Sequence, residues 1–348
     1  MADHSPVFAA SVSVNRHRSA VILITLGLLA IAVILLACLV GSVSVSISDL
    51  AGALMDLLRG APSTLASTLL ELRLGRALSA FVTGSALALA GVMMQALLRN
   101  PLADPYVLGV SGGASVGALT AMLFMSAAWI VDAAAFGGAI AVSMLLYLFA
   151  RRDLREGLVA EGGAALLLLT GVILSSGCMA FVTLILSIAP ESNLRGMVFW
   201  IIGDLSGTQL RWLPWLVLAG ALVFALRVAR AINVVALHAE VAATLGIRVG
   251  ALRQGLFFCS GLLTASAVTS AGSIGFVGLI VPHACRFVLG PDHRLLLPAA
   301  TLVGGTFLVL ADILARTIIA PQQLPVGVVT AMIGVPMFLI QLHHIRRK

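Results

Sequence analysis

Charge is scarce in this sequence. Of its 348 residues, 10% are Asp, Glu, Lys or Arg, where a water-soluble domain carries roughly 25%. A chain so poor in charge cannot dress a water-facing surface, which excludes an ordinary soluble protein. Basic residues outnumber acidic ones, 21 to 14. They sit in short clusters between apolar runs, with no basic face and no interleaved aromatics, so nucleic acid is excluded as a partner. The four cysteines, Cys38, Cys178, Cys259 and Cys285, stand singly in or beside apolar stretches. None has metal-ligand or redox spacing, and they read as small packing residues with no metal site. There is no G-x-x-x-x-G-K-[ST] loop, nucleophile elbow or zinc motif, so the chain is not expected to bind ATP, carry a cofactor or act as an enzyme.

What the sequence has in abundance is apolar length. Hydrophobic residues make up 60%, and the mean hydropathy is +1.11. A helix needs ~20 residues to cross a bilayer. The runs here are continuous rather than alternating, which excludes spanning strands. The fold expected is an all-α polytopic membrane protein, a single transmembrane domain over residues 1–348, with about ten transmembrane helices near 20–40, 76–98, 106–125, 133–150, 164–188, 212–228, 256–271, 274–289, 295–316 and 326–342. Leu35-Leu36-Ala37-Cys38 looks like a lipoprotein cleavage site, but the run it closes is longer than a signal h-region and reads as an uncleaved span. Arg16 and Arg18 precede the first span, and Arg346, Arg347 and Lys348 close the chain. The positive-inside rule then places both termini in the cytoplasm. Ser48-Asp49 reads as the start of a short helix on the outer surface, with Leu50, Ala53, Leu54, Leu57 and Leu58 on one face.

Small residues recur at helical spacing: Gly109, Gly113 and Gly117 on the third span, and Gly84, Ala88 and Gly91 on the second. In lipid this spacing lets helix backbones approach closely. Ionisable residues within spans are few. Asp312 and Arg316 are one turn apart near the outer end of the ninth span and read as a local ion pair. No acid stands clearly at mid-membrane, which argues against an ion-coupled secondary transporter, the rival functional class. His283 follows Pro282 without neighbouring ligands and reads as structural. The longest polar stretch, about 231–253, falls on the cytoplasmic side. It reads as one or two short helices with Gly246 as C-cap, either a solvated connector or, since it exposes apolar residues outside the membrane, a docking helix for a cytoplasmic partner.

Gly91-x-x-x-Gln95-x-x-x-Arg99-Asn100-Pro101-Leu102-Ala103-Asp104-Pro105 is followed by Leu108-Gly109-Val110-Ser111-Gly112-Gly113. Later come Gly272-Ser273-Ile274-Gly275 through Pro282-His283, Gly290-Pro291-Asp292-His293-Arg294, Ala311-Asp312-Ile313-Leu314-Ala315-Arg316 and Leu324-Pro325-Val326-Gly327. Together these motifs resemble the FecCD family, the permeases of type II ABC importers. The family's turns map onto Asn100, Pro101, Asp104, Pro105, Gly275, Pro282 and His283. Gln323 stands where the family commonly has Glu, and Gly75 where it has Pro.

The resemblance implies a homodimer in the bacterial inner membrane around one pathway. Two separate ATP-binding cassette subunits would hold ATP and Mg, and a periplasmic binding protein would deliver cargo. It implies an ATPase-coupling loop through Leu237, Glu240, Ala243, Leu245 and Gly246, and outward-facing arginines, Arg73, Arg76 and Arg316, that meet the binding protein. Of these, Arg73 and Arg76 have only Glu71 nearby in sequence. The cargo expected is a bulky metal chelate, haem first, then a ferric siderophore or cobalamin.

Overall fold

The computed structural model describes residues 16–41, 52, 56, 64–125, 127–156, 163–207, 211–237 and 239–346. Twelve α-helices account for most of them: α1 (Arg16–Leu39), α2 (Leu65–Leu98), α3 (Val110–Phe124), α4 (Ala128–Glu156), α5 (Gly163–Ile188), α6 (Glu191–Ile202), α7 (Trp212–Leu237), α8 (Ala239–Thr244), α9 (Val249–Ala271), α10 (Val277–Leu289), α11 (His293–Thr317) and α12 (Val326–Arg346). Seven of these, α1, α2, α4, α5, α7, α9 and α11, are long and apolar enough to cross a bilayer. The apolar parts of α3, α10 and α12 are shorter. These ten helices correspond to the ten expected spans, and the chain is an all-α polytopic membrane protein. Of the surface helix expected from Ser48 to Leu58, only Gly52 and Asp56 are among the described residues, both helical.

α2 is the axis of the fold. Thr64 opens it with a capping box, its side chain accepting from Ser67 N while Ser67 Oγ accepts from Thr64 N. The helix begins at Leu65, well before Arg76 where the second span was expected, and runs 34 residues, ~51 Å. It is buried almost throughout, with α1, α7, α9, α10 and α11 packed around it. Glycine makes that possible: a Cβ at Gly84 would strike the carbonyl of Gly304 in α11, and one at Gly91 the carbonyl of Gly278 in α10. α3 and α4 meet in the same way, Gly113 against Gly138 and Gly117 against Ala134. The small-residue stripes therefore do what their spacing predicts, joining helices that have no hydrophobic drive to associate in lipid. α1 and α5 are the least buried of the long helices. They turn Ile24, Leu28, Ile173 and Phe181 outward, an apolar surface suited to lipid tails.

Two further expected boundaries are corrected. The third span does not start as an α-helix at Tyr106: a 3-10 turn, Pro105–Leu108, comes first, and Gly109 (φ 79°) breaks it from α3. The cause is tertiary. Pro105 packs against Gly278, and the Tyr106 hydroxyl accepts from Ile274 N at 3.2 Å, so this turn meets the non-helical backbone before α10. With 15 and 13 residues, α3 and α10 reach only ~22 and ~20 Å. That is short of the ~30 Å hydrocarbon core, and their interrupted backbone is enclosed by protein, as interrupted backbone at membrane depth must be. The sixth span does not stop at 228 either. α7 continues to Leu237, so the polar stretch is mostly helix, with α8 and a glycine turn between α7 and α9.

Candidate functional sites

At the end of α2 opposite the Asn100 turn, the three predicted arginines come together around α1 and α11. Arg76 Nε donates to both oxygens of Asp312, at 2.9 and 3.1 Å, and Arg76 Nη2 lies 2.8 Å from Oδ1. Arg76 Nη1 reaches Gln323 Oε1 at 2.7 Å. Arg316 Nε lies 3.5 Å from Asp312 Oδ2, so the expected local pair is present, but Asp312 serves Arg76 more closely. Arg316 Nη2 donates to Ala37 O at 2.7 Å, and Arg73 Nη1 to Cys38 O and Leu39 O at 3.1 and 3.2 Å. The last carbonyls of a helix lack internal partners and carry its negative pole. Arg73 and Arg316 thus hold the end of α1 against α2 and α11. Both are buried, and of the three arginines it is Arg76 whose side chain, 12% exposed, keeps the most access to solvent. The expectation that only Glu71 stands near Arg73 and Arg76 missed Asp312 and Gln323, because both are remote in sequence.

At the other end of α2 lies the predicted coupling loop. α8 buries Ala242 and exposes Ala243 and Thr244. Gly246 (φ 80°) closes it, its N–H reaching Ala243 O at 3.0 Å, and Leu245 projects 66% exposed. A large apolar side chain is thus exposed beside a glycine turn. His238 and the side chains of Leu237 and Glu240 lie outside the described residues. In the Asn100 turn, Asn100 Oδ1 accepts from Leu102 N and Asp104 Oδ1 from Tyr106 N, at 2.9 and 2.8 Å. Burial raises the Asp104 carboxyl to about 6, partly offset by the Tyr106 N–H.

Polar links that sequence reasoning did not assign surround this end. Gln95 Nε2 donates to Leu279 O at 3.2 Å, and Arg286 Nη1 to Gln95 Oε1 at 3.0 Å, joining α2 to α10. Asp292 caps α11 through Arg294 N at 3.0 Å and binds the Arg294 side chain. Burial opposes ionisation of Asp292, but hydrogen bonds from Arg294 and Asn233 outweigh it and hold the carboxyl at about 2. His283, in α10, has a buried Nδ1 without a partner. Among the described residues no group of three His, Cys, Asp or Glu could hold a metal ion.

A cavity of about 750 Å³ opens between the ends of α3, α4, α6 and α9. The Asp132–Arg211 ion pair, 2.6 Å, forms part of its wall, beside Trp200 and the Arg195 guanidinium stacked 5.5 Å over the Phe199 ring. Again the paired charges are remote in sequence, Asp132 in α4 and Arg211 just before α7, and no local signal marks them.

Ten apolar helices, seven of them long enough to cross a bilayer, describe a polytopic membrane protein. The FecCD transport family matches residues 28–344. The chain belongs to that family. It is 40% identical over 290 residues to the cobalamin import system permease BtuC of Halobacterium salinarum, covering 81% of this chain and 75% of the relative. It is 38% identical over 282 residues to the vitamin B12 import system permease BtuC of Escherichia coli, covering 80% and 84%. Among solved structures, a metal-chelate-type ABC transporter in an inward-facing conformation matches with TM-score 0.79 and 29% identity over 93% of this chain and 99% of that one. PsaBC from Streptococcus pneumoniae, at TM-score 0.55 and 17% identity over 83% and 94%, shares the fold. This FecCD protein is a permease subunit of the ABC-importer class and a multi-pass protein of the cytoplasmic (inner) membrane.

Proposed function

We propose that this permease forms one half of a homodimeric pathway, importing a bulky metal chelate with ATP hydrolysed by two separate ATP-binding cassette subunits. Cobalamin becomes the first cargo, ahead of haem and ferric siderophores. The observation that carries this order is the 40% identity to a cobalamin import permease over most of the chain. No single side chain in the pathway carries it. Both termini face the cytoplasm, the α7–α9 turn docks the ATPase through Leu245 and its neighbours, and a periplasmic binding protein settles on the opposite face.

The arginine cluster belongs to that outer face. Arg76, the most accessible of the three, meets an acidic group of the binding protein, while Arg73 and Arg316 hold the platform in shape. Ion pairs of this kind steer and orient more than they bind. The weakly polar faces of α3, α5, α10 and α12 line the pathway, while α2, expected there too, is enclosed by other helices. An ion-coupled secondary transporter is disfavoured by the family match.

The test is uptake in cells lacking their own cobalamin, haem and siderophore permeases. They would express this chain together with the ATP-binding cassette subunit and binding protein from the same source. Accumulation of labelled cobalamin, abolished by an ATPase active-site mutation, is the expected result. Accumulation of haem or a ferric siderophore instead would overturn the cargo order and leave the class intact.

A further inference from the structure

Arg99 ends α2 in the left-handed region, φ 50° and ψ 32°. That conformation favours glycine or asparagine, and for another residue it is a strained choice that points to a role for the side chain. Arg99 is exposed, yet its guanidinium turns back onto α7. Its Nε donates to Val235 O at 3.2 Å, and its Nη2 donates to the same oxygen. Val235 lies in the last turn of α7, where carbonyls have no helical partner and the helix carries its negative pole. Arg99 is therefore a charged cap on α7, supplied by α2.

Two residues earlier, Asn233 makes a second link. Its Nδ2 donates to Asp292 Oδ1 at 2.7 Å, and its Oδ1 accepts from His293 N at 2.9 Å. A side chain of α7 thus takes part in capping the first turn of α11. The end of α7 is thus capped from α2, and the start of α11 from α7, at the segment that leads directly into α8.

We infer that Arg99 and Asn233 form a mechanical latch, fixing the end of α7 to α2 and α11 so that movement of the α8 turn is passed to both helices. α2 relays it to α10 through Gln95, which binds Leu279 O and Arg286. The latch rests on the reading that the α7–α9 turn docks the ATPase. Without the latch, α8 would still dock, but the end of α7 would slip relative to α2 and α11. These are positioning residues and touch no cargo.

The test uses the complete complex in proteoliposomes with its binding protein and a permease lacking native cysteines. Arg99→Ala is expected to retain its ATPase and its basal ATP hydrolysis. Stimulation of hydrolysis by the binding protein should fall at least about fivefold, the low end of ordinary coupling between sites. Unchanged stimulation would overturn the latch. A second variant is independent of folding losses: Asn233→Cys with Asp292→Cys, compared before and after closure with a short bifunctional thiol reagent. Weak stimulation in the open form, restored on closure, supports the latch, and equal stimulation in both forms refutes it. Docking is read separately by cross-linking Ala243→Cys to the ATPase. Absence of that cross-link would sink the docking reading itself and the latch with it, whereas cross-linking with normal stimulation in Arg99→Ala removes the latch alone.

Discussion

Arg76 and Asp312, 236 residues apart in sequence, hold one another through Nε at 2.9 and 3.1 Å and through Nη2 at 2.8 Å, with Asp312 1% exposed. The carboxylate serves Arg316 as well, so one acid organises the junction of α1, α2 and α11. Removing one partner of a buried ion pair leaves an uncompensated charge, which costs about 3–5 kcal/mol. Asp312→Ala should lower the melting temperature of the purified permease strongly. Gln323→Ala, which removes one hydrogen bond at the exposed edge, should cost ~1 kcal/mol. Equal melting of the two variants would contradict this division.

The glycine contacts predict a sharp positional contrast. Gly91→Ala places a methyl into the Gly278 carbonyl, while Gly137 has nothing within 4 Å of its added Cβ. The first should destabilise by ~1–3 kcal/mol through forced separation of α2 and α10. The second should be neutral or slightly stabilising, since alanine favours a helix over glycine. Thermal unfolding in one detergent checks both.

Asp104 predicts a pH dependence. Its carboxyl is held at about 6 by burial, above the ordinary 3.8. A raised acid favours its protonated form in the fold, so stability is greater at low pH and declines as pH rises from about 4 to about 6. Asp104→Asn keeps the oxygen that accepts from Tyr106 N and removes the ionisation. The variant should be more stable than the parent at pH 8, by on the order of 1–2 kcal/mol, with little difference at pH 4. Parallel curves for parent and variant between those limits would contradict the assignment.

Much of this was legible in sequence, for identifiable reasons. The spans show because bilayer thickness demands long apolar runs, and the stripes through Gly84, Gly91, Gly113 and Gly117 announce close helix contacts. The start of α2 was hidden because Glu71, Arg73 and Arg76 look like a span boundary. In the fold, Arg73 and Arg76 lie inside the helix with partners from α1 and α11. The end of α7 was hidden likewise, since Arg230 and Asn233 read as loop until Asn233 is seen capping α11. The arginine trio was found through its motif, but Asp312 and Gln323 approach Arg76 only in three dimensions. The same holds for Asp132 with Arg211 and Arg99 with Val235.

Docking of the ATPase makes its own prediction. Leu245 is bared on the turn after α8, so Leu245→Asp places a charge in a contact that must lose water, at ~2 kcal/mol or more. The ATPase should then fail to copurify, while the permease alone melts at its normal temperature. Normal copurification would return Leu245 to an ordinary exposed residue.

The central claim, an ATP-driven importer of a metal chelate, is tested most directly in proteoliposomes holding the permease and its ATPase, with the binding protein outside and ATP inside. Labelled cobalamin should accumulate only when ATP, ATPase and binding protein are all present, and collapsing proton and sodium gradients should not reduce it. Accumulation without ATP, driven by an imposed ion gradient, would contradict the account.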